Sequence, residues 1–239
     1  MEKYILILKT GSALPAVKEK LGDFEDFIIE GMNLPAGKAC VTDFTREPVP
    51  VLPESPAGIV ITGSRNLVTA GSAMQDRLMK ILSNYKASDL PLLGICYGHQ
   101  VLAELFGGCV GFLPGGREIG TVPVSLQDAG RHDDLFSVLP DSFSVQASHR
   151  ETVAEVPRGA RCVAAGNRDE NHCLSFSPSA WGVQFHPEFN AEIMRAYILC
   201  QAEDLDAEGF KVEHLLSSVK NDTSGKMLLQ RFKDIVFSR

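Results

Sequence analysis

Two hydrophobic rhythms alternate along the chain. Tyr4 to Leu8, Ala39 to Phe44, Gly58 to Thr62 and Leu90 to Ile95 have the length and apolar content of buried strands. Between them lie segments of helical period. Ala16 to Ile29 places Val17, Leu21, Phe24 and Ile28 on one side of a helix. Ser72-Ala73-Met74-Gln75 has the form of a capping box, and Met74, Leu78, Ile81, Leu82 and Tyr85 follow at helical spacing, which predicts a helix from about Ser72 to Lys86. Val101, Leu102, Leu105 and Phe106 share a third helical face that stops at Gly107-Gly108. Proline-rich Glu47 to Pro56 reads as a loop.

Further on, Gly120 to Leu126, Ser142 to Ala147, Ala160 to Ala165, Cys173 to Ser177 and Ala180 to Phe185 are short strand candidates. From about Ala191 the pattern turns helical: Ile193, Ala196, Tyr197 and Cys200 are in phase, then Phe210 to Val219 and Met227 to Val236, with Asn221 to Gly225 between the last two. No internal repeat interrupts the series. Strands alternating with helices predict an α/β fold: a doubly wound, mostly parallel sheet with helices on both faces. With 239 residues, the expectation is a single domain over 1–239 with a helical C-terminal tail from about 191.

Composition narrows the class of function. Hydrophobic content of 44% with 22% charged residues is that of a soluble globular protein, and a net charge of −7 without a basic stripe argues against nucleic-acid binding. The apolar run at Tyr4 to Leu8 is too short for a signal-peptide core or a membrane span, so a cytoplasmic location is expected. Six cysteines without C-x-x-C spacing predict reduced thiols, with neither a disulfide scaffold nor a zinc site. His172-Cys173 is the sole adjacent pair of metal-type residues and is read as surface chemistry of no consequence.

Two stretches carry reactive chemistry. Gly94-Ile95-Cys96-Tyr97-Gly98 has the shape of a nucleophile elbow, in which glycines let a strand turn sharply into a helix and hold the side chain between them at the strand end. The positive end of that helix favours a thiolate at Cys96, and the Tyr97 N–H supplies half of an oxyanion hole. Later, His186-Pro187-Glu188 places an imidazole and a carboxylate on one side of an extended segment, where the acid can orient the base. The second oxyanion donor is expected from Gly63 or Ser64, in the loop after the Gly58-to-Thr62 strand, because that strand end must lie beside the elbow.

Gly94-Ile95-Cys96-Tyr97-Gly98-His99-Gln100 together with His186-Pro187-Glu188 resembles the class I glutamine amidotransferase family, over most of the chain to about Asn190. Gly116-Arg117-Glu118-Ile119-Gly120 and Ser148-His149 resemble stretches of its GMP-synthase-like, stand-alone members. The resemblance implies a flavodoxin-like architecture and thioester chemistry on glutamine. Cys96 is then the nucleophile, His186 the base and later acid, Glu188 its orienting carboxylate, and Gln100 a substrate-binding residue, with no metal or organic cofactor required. His99 falls to motif packing. Family members commonly carry a glycine pair and a proline where this chain has Gly63-Ser64-Arg65. Arg65 is a substrate or partner contact, or a solvated loop charge.

The implied activity is glutamine amidotransferase or glutaminase-type hydrolysis of a γ-glutamyl amide, releasing ammonia and glutamate. An ammonia acceptor would be a partner synthetase, since the sequence carries no synthetase motif. On that reading, turnover of free glutamine is slow until a partner resets the Thr62-to-Arg65 loop. Two alternatives stand beside it: a γ-glutamyl peptide hydrolase using the same triad, and an inactive regulatory or interaction subunit.

Overall fold

The computed structural model describes residues 3–48 and 51–239. Two residues of the loop expected over 47–56 therefore lie outside the described residues, and no strand or helix forms in the rest of it. In chain order the strands are β1 (Ile5–Lys9), β2 (Ala39–Asp43), β3 (Gly58–Ile61), β4 (Leu92–Ile95), β5 (Cys109–Phe112), β6 (Glu118–Leu126), β7 (Ser142–His149), β8 (Glu151–Glu155), β9 (Arg161–Gly166), β10 (Cys173–Ser177) and β11 (Ala180–Val183). The helices are α1 (Pro15–Leu21), α2 (Phe24–Met32), α3 (Ala73–Ser83), α4 (Tyr97–Phe106), α5 (Asp128–Arg131), α6 (Ala191–Cys200), α7 (Ala202–Ala207), α8 (Val212–Ser218) and α9 (Ser224–Ser238).

Nine strands form one sheet in the order β2-β1-β3-β4-β11-β10-β9-β6-β7. The first five run parallel, and their order reverses between β1 and β3, the topological switch at whose carboxyl edge such sheets bind ligands. The remaining strands continue antiparallel. Alternation along β1 explains the two covered faces. Ile5 and Ile7 join Val60, Leu93 and Ile95 under Ile28 and Met32 of α2 and Leu228, Leu229 and Phe232 of α9. Leu6 and Leu8 point the other way, with Ile59 and Ile61, under Leu78 and Leu82 of α3 and Val101 and Leu102 of α4. A third cluster, Phe24, Phe27, Phe189, Met194 and Tyr197 among others, joins the first helices to α6.

Several local expectations are corrected. The single helix over 16–29 is two, because Gly22 adopts φ 108° and Asp23 starts α2 in a full capping box with Asp26. At α3 the box is only half formed: Ser72 accepts from the Gln75 N–H, but the Gln75 side chain donates to Glu104 at 2.9 Å and does not accept from the Ser72 N–H. That helix ends at Ser83, ahead of Lys86. β5 and β8, which pair as a separate two-stranded ribbon, and the short helices α5 and α7 were not expected. His172 and Cys173, read as a surface pair, are fully buried because β10 lies inside the sheet.

Candidate active site

β4 ends at Ile95, and Cys96 takes φ 51° and ψ −102° before α4 begins at Tyr97. A non-glycine residue at positive φ is held there by its surroundings. Those surroundings are close. A Cβ on Gly94 would sit 2.4 Å from the Gly98 carbonyl oxygen, and one on Gly98 would sit 2.5 Å from that of Ile61, so the turn forms only with glycine at both positions. Cys96 donates its N–H to the Val183 carbonyl at 2.8 Å, tying the elbow to β11. As the first residue of α4, Tyr97 has an N–H with no acceptor inside the helix.

β11 delivers the second half of the site. Beyond Val183, Gln184 still donates its N–H to the His172 carbonyl and His186 bridges antiparallel to Gln146, after which the chain turns, with the Phe189 N–H on the His186 carbonyl. The His-Pro-Glu segment is thus a turn and not the extended stretch expected, because Pro187 ends the pairing. The two side chains meet nevertheless: His186 Nδ1 and Glu188 Oε1 are 2.8 Å apart. With Nδ1–H donating to the carboxylate, Nε2 is left for another partner. Burial pulls the His186 pKa down, but Glu188 and Cys96 outweigh it and raise it to about 10. The imidazole also stacks on Phe189, ring centroids 4.2 Å apart, with Phe24 at 5.7 Å.

The β3 loop lies where sheet order places it. A Cβ on Gly63 would be 2.8 Å from His186 Cε1 and 3.7 Å from Cys96 Cβ, so the backbone at Gly63 lies against both side chains. Its carbonyl accepts from Thr62 Oγ1 at 3.0 Å, while the Thr10 hydroxyl, 3.2 Å away, lies nearer the Thr62 carbonyl at 2.9 Å. In this trans peptide the Ser64 N–H points away from those hydroxyls. Gln100 is buried and donates to the Glu151 carbonyl at 2.9 Å and to Gln184 Oε1 at 3.0 Å. Gln184 in turn donates to Cys96 Sγ at 3.6 Å. His99, as expected, packs inside: its Nε2 faces the Asn171 carbonyl at 3.2 Å, and burial lowers its pKa to about 4.

Cys96, Gln100, His186 and Ser64 open onto one cavity of about 330 Å³, which Arg65, Arg117, His149, Arg150, Tyr197 and Asp204 also line. Gln184 was not singled out from the sequence, although it stands two residues before His186 and the alternation of an extended chain puts both on one side. Residues from α6 onward carry no local signal, since they reach the cavity through tertiary packing alone. Among the described residues one cluster has the donor set of a metal site: Glu118, His149 and His172, all buried. Both Nε2 atoms face Glu118 Oε2 at 3.0 Å, and His149 Nδ1–H donates to the Glu151 carbonyl at 2.9 Å. The His172 Nδ1 is buried without a hydrogen-bond partner. Burial raises the Glu118 pKa, but the two imidazoles prevail and bring it to about 2.

The family model described as "Glutamine amidotransferase class-I" matches residues 41–202. One subunit of the glutamine-hydrolyzing GMP synthase of Methanopyrus kandleri is 36% identical over 142 residues, covering 56% of this chain and 68% of that protein. Gamma-glutamyl peptidase 5 of Arabidopsis thaliana is 30% identical over 139 residues, 57% of this chain and 55% of that one. A solved glutamine amidotransferase of Thermotoga maritima superposes with a TM-score of 0.79 at 21% identity, over the full length of both chains, so the two share a fold. No helix among the described residues is long and apolar enough to cross a membrane. With the family model matched from β2 to the end of α6, and with the expected α/β architecture in place, the chain belongs to the class I glutamine amidotransferase family.

Proposed function

We propose that the chain is one amidotransferase-type domain with a helical tail from about residue 191, and that it hydrolyses a γ-glutamyl amide through a thioester on Cys96. One observation carries this reading. Cys96 is held at positive φ on the carboxyl edge of the parallel sheet, beside an imidazole whose other nitrogen is 2.8 Å from a buried carboxylate. In the first half-reaction the Cys96 sulfur bonds to the amide carbon. The oxyanion faces the Tyr97 N–H and that of Ser64 or Gly63, the carbon–nitrogen bond breaks, and the His186 imidazolium gives its proton to the departing ammonia or amine. Water then attacks the thioester while His186 takes its proton, the carbon–sulfur bond breaks, and the thiolate and imidazolium are restored. The net change is amide plus water to acid plus amine. Gln100 shapes the floor of the substrate site, and Glu188 holds the imidazole in place.

Glutamine as substrate makes the chain a source of ammonia, and the subunit-type relative suggests a synthetase partner for it. A γ-glutamyl peptide hydrolase is the second reading, and one observation favours it: the Gly63 carbonyl accepts from the Thr62 hydroxyl within the chain, which supports a loop oriented without a partner. Either reading is supported over a silent regulatory role by the complete set of groups. A diazo-ketone glutamine analogue should add one equivalent of mass to the wild-type protein and none to Cys96→Ala. Labelling that persists in Cys96→Ala, or turnover above a buffer blank in that variant, removes Cys96 from the chemistry.

A further inference from the structure

Two arginines and the chain after α6 line part of the same cavity. Arg117, between β5 and β6, is buried, its side chain only 5% exposed. Its Nη1 donates to Gln201 Oε1 at 2.8 Å and its Nη2 to Glu208 Oε1 at 2.9 Å, while its Nε is buried without any hydrogen-bond partner. Arg150, the lone residue between β7 and β8, donates to the same Glu208 oxygen at 2.6 Å. Two guanidiniums, with five N–H groups each, thus converge on a single carboxylate oxygen. Burial and the neighbouring Arg150 both lower the Arg117 pKa, against the pull of Glu208 and Asp204. A guanidinium does not shed its proton at physiological pH, so both positive charges stay beside the cavity.

Resting on the reading of Cys96 as nucleophile, we infer that Arg117 and Arg150 form a carboxylate subsite, selecting γ-glutamyl compounds by an aliphatic carboxylate seated in the same cavity as the scissile amide. Both arginines open onto the cavity that holds Cys96 and His186. A planar guanidinium meets a carboxylate with two parallel hydrogen bonds, which gives orientation as well as attraction. Glu208 holds the pair in place and competes with the substrate for it. The selecting carboxylate has two sources: the α-carboxylate of the γ-glutamyl group, present in glutamine as well, or that of a departing amino acid, present only in γ-glutamyl peptides.

Calorimetry on Cys96→Ala reads the subsite without chemistry, using γ-glutamylglycine, γ-glutamylmethylamide and the α-amide of glutamine as probes. Adding Arg150→Met, a half-exposed position, should weaken binding of at least one carboxylate-bearing probe by about tenfold or more. Glu208→Gln should act in the opposite direction, tightening the same probe by freeing both guanidiniums. Loss confined to γ-glutamylglycine assigns the departing amino acid as the source. Equal loss for γ-glutamylglycine and γ-glutamylmethylamide, with the α-amide binding weakly throughout, assigns the α-carboxylate. Unchanged affinity for every probe in Arg150→Met, or weakening in Glu208→Gln, overturns the subsite. These outcomes stand whether or not the wild-type protein turns over a substrate, and steady-state hydrolysis of the same probes tests the reaction separately.

Discussion

Replacing Gly63 by alanine tests how closely the β3 loop lies against the imidazole. The φ at Gly63 is not in the left-handed region, so the backbone accepts alanine without strain and the perturbation is the new methyl group alone. That methyl would stand 2.8 Å from His186 Cε1, and an ordinary contact begins at 3.4 Å, so the ring must retreat by about 0.6 Å. Retreat is constrained on the other side by Phe189, stacked 4.2 Å away, and by the 2.8 Å bond to Glu188. Misplacing a reacting group by an ångström costs about a hundredfold in rate, so a loss of roughly ten- to a hundredfold in kcat is expected here. Gly63 is buried and its new methyl presses on a buried ring, so overpacking should also lower the unfolding free energy by about 1–3 kcal/mol. Glutamate release from a γ-glutamyl substrate, read beside urea unfolding, measures both. A Gly63→Ala protein of normal stability and wild-type kcat would refute the placement of the loop against the imidazole.

Three further outcomes follow from the buried charges. Glu188→Gln should lose less activity than His186→Ala, because the carboxylate orients the imidazolium whereas the imidazole moves the proton; equal or reversed losses would reassign the two roles. Since Glu188 and Cys96 raise the His186 pKa from 6.5 to about 10, the stabilising contribution is full below pH 6.5 and disappears as pH climbs through 10. The alkaline limb of kcat should lie near 10 and move down in Glu188→Gln; an NMR titration of His186 near 6.5 in the wild type would contradict this. Glu118, held near 2 by its two histidines, works with the opposite sign: its contribution is full above pH 4.5 and lost as pH falls through 2. Glu118→Gln should therefore cost about 3 kcal/mol at pH 7 and progressively less below pH 4.5, and a cost independent of pH would exclude the carboxylate's hydrogen bonds to the two imidazoles as its cause.

Much of the parallel half of the sheet was legible because its signals are local. β1 alternates its side chains between two apolar layers, and a run such as Leu92 to Ile95 is buried on both faces, so period and length suffice. The elbow was legible for the same reason: the glycines that make it possible stand within two residues of Cys96. The break at Gly22-Asp23 was missed although Asp23 and Asp26 spell a capping box, because the apolar period runs through it and outweighs a cap. β5 and β8 escaped notice because each is short and paired with the other across some forty residues. Burial of His172 and Cys173 follows from the position of β10 between β9 and β11, which no local pattern states. Arg117, Arg150 and Glu208 form one group through contacts of 58 and 91 residues' separation, and spacing along the chain cannot announce such a meeting.

The cover of the sheet by α9 bears on how the protein is made. Leu228, Leu229, Phe232, Ile235 and Val236 close the face formed by Ile5, Ile7, Val60 and Trp181, and Val236 reaches Gly58 so nearly that a Cβ there would lie 2.5 Å from it. Every residue assigned to the chemistry has left the ribosome once Glu188 has, yet this apolar face waits for residues 224–238. During that interval the nascent chain carries a nearly complete reaction centre on a sheet with one side partly bare, the condition in which folding intermediates recruit chaperones or one another. Truncation before residue 224 should therefore cost solubility while leaving every residue assigned to the chemistry in the chain.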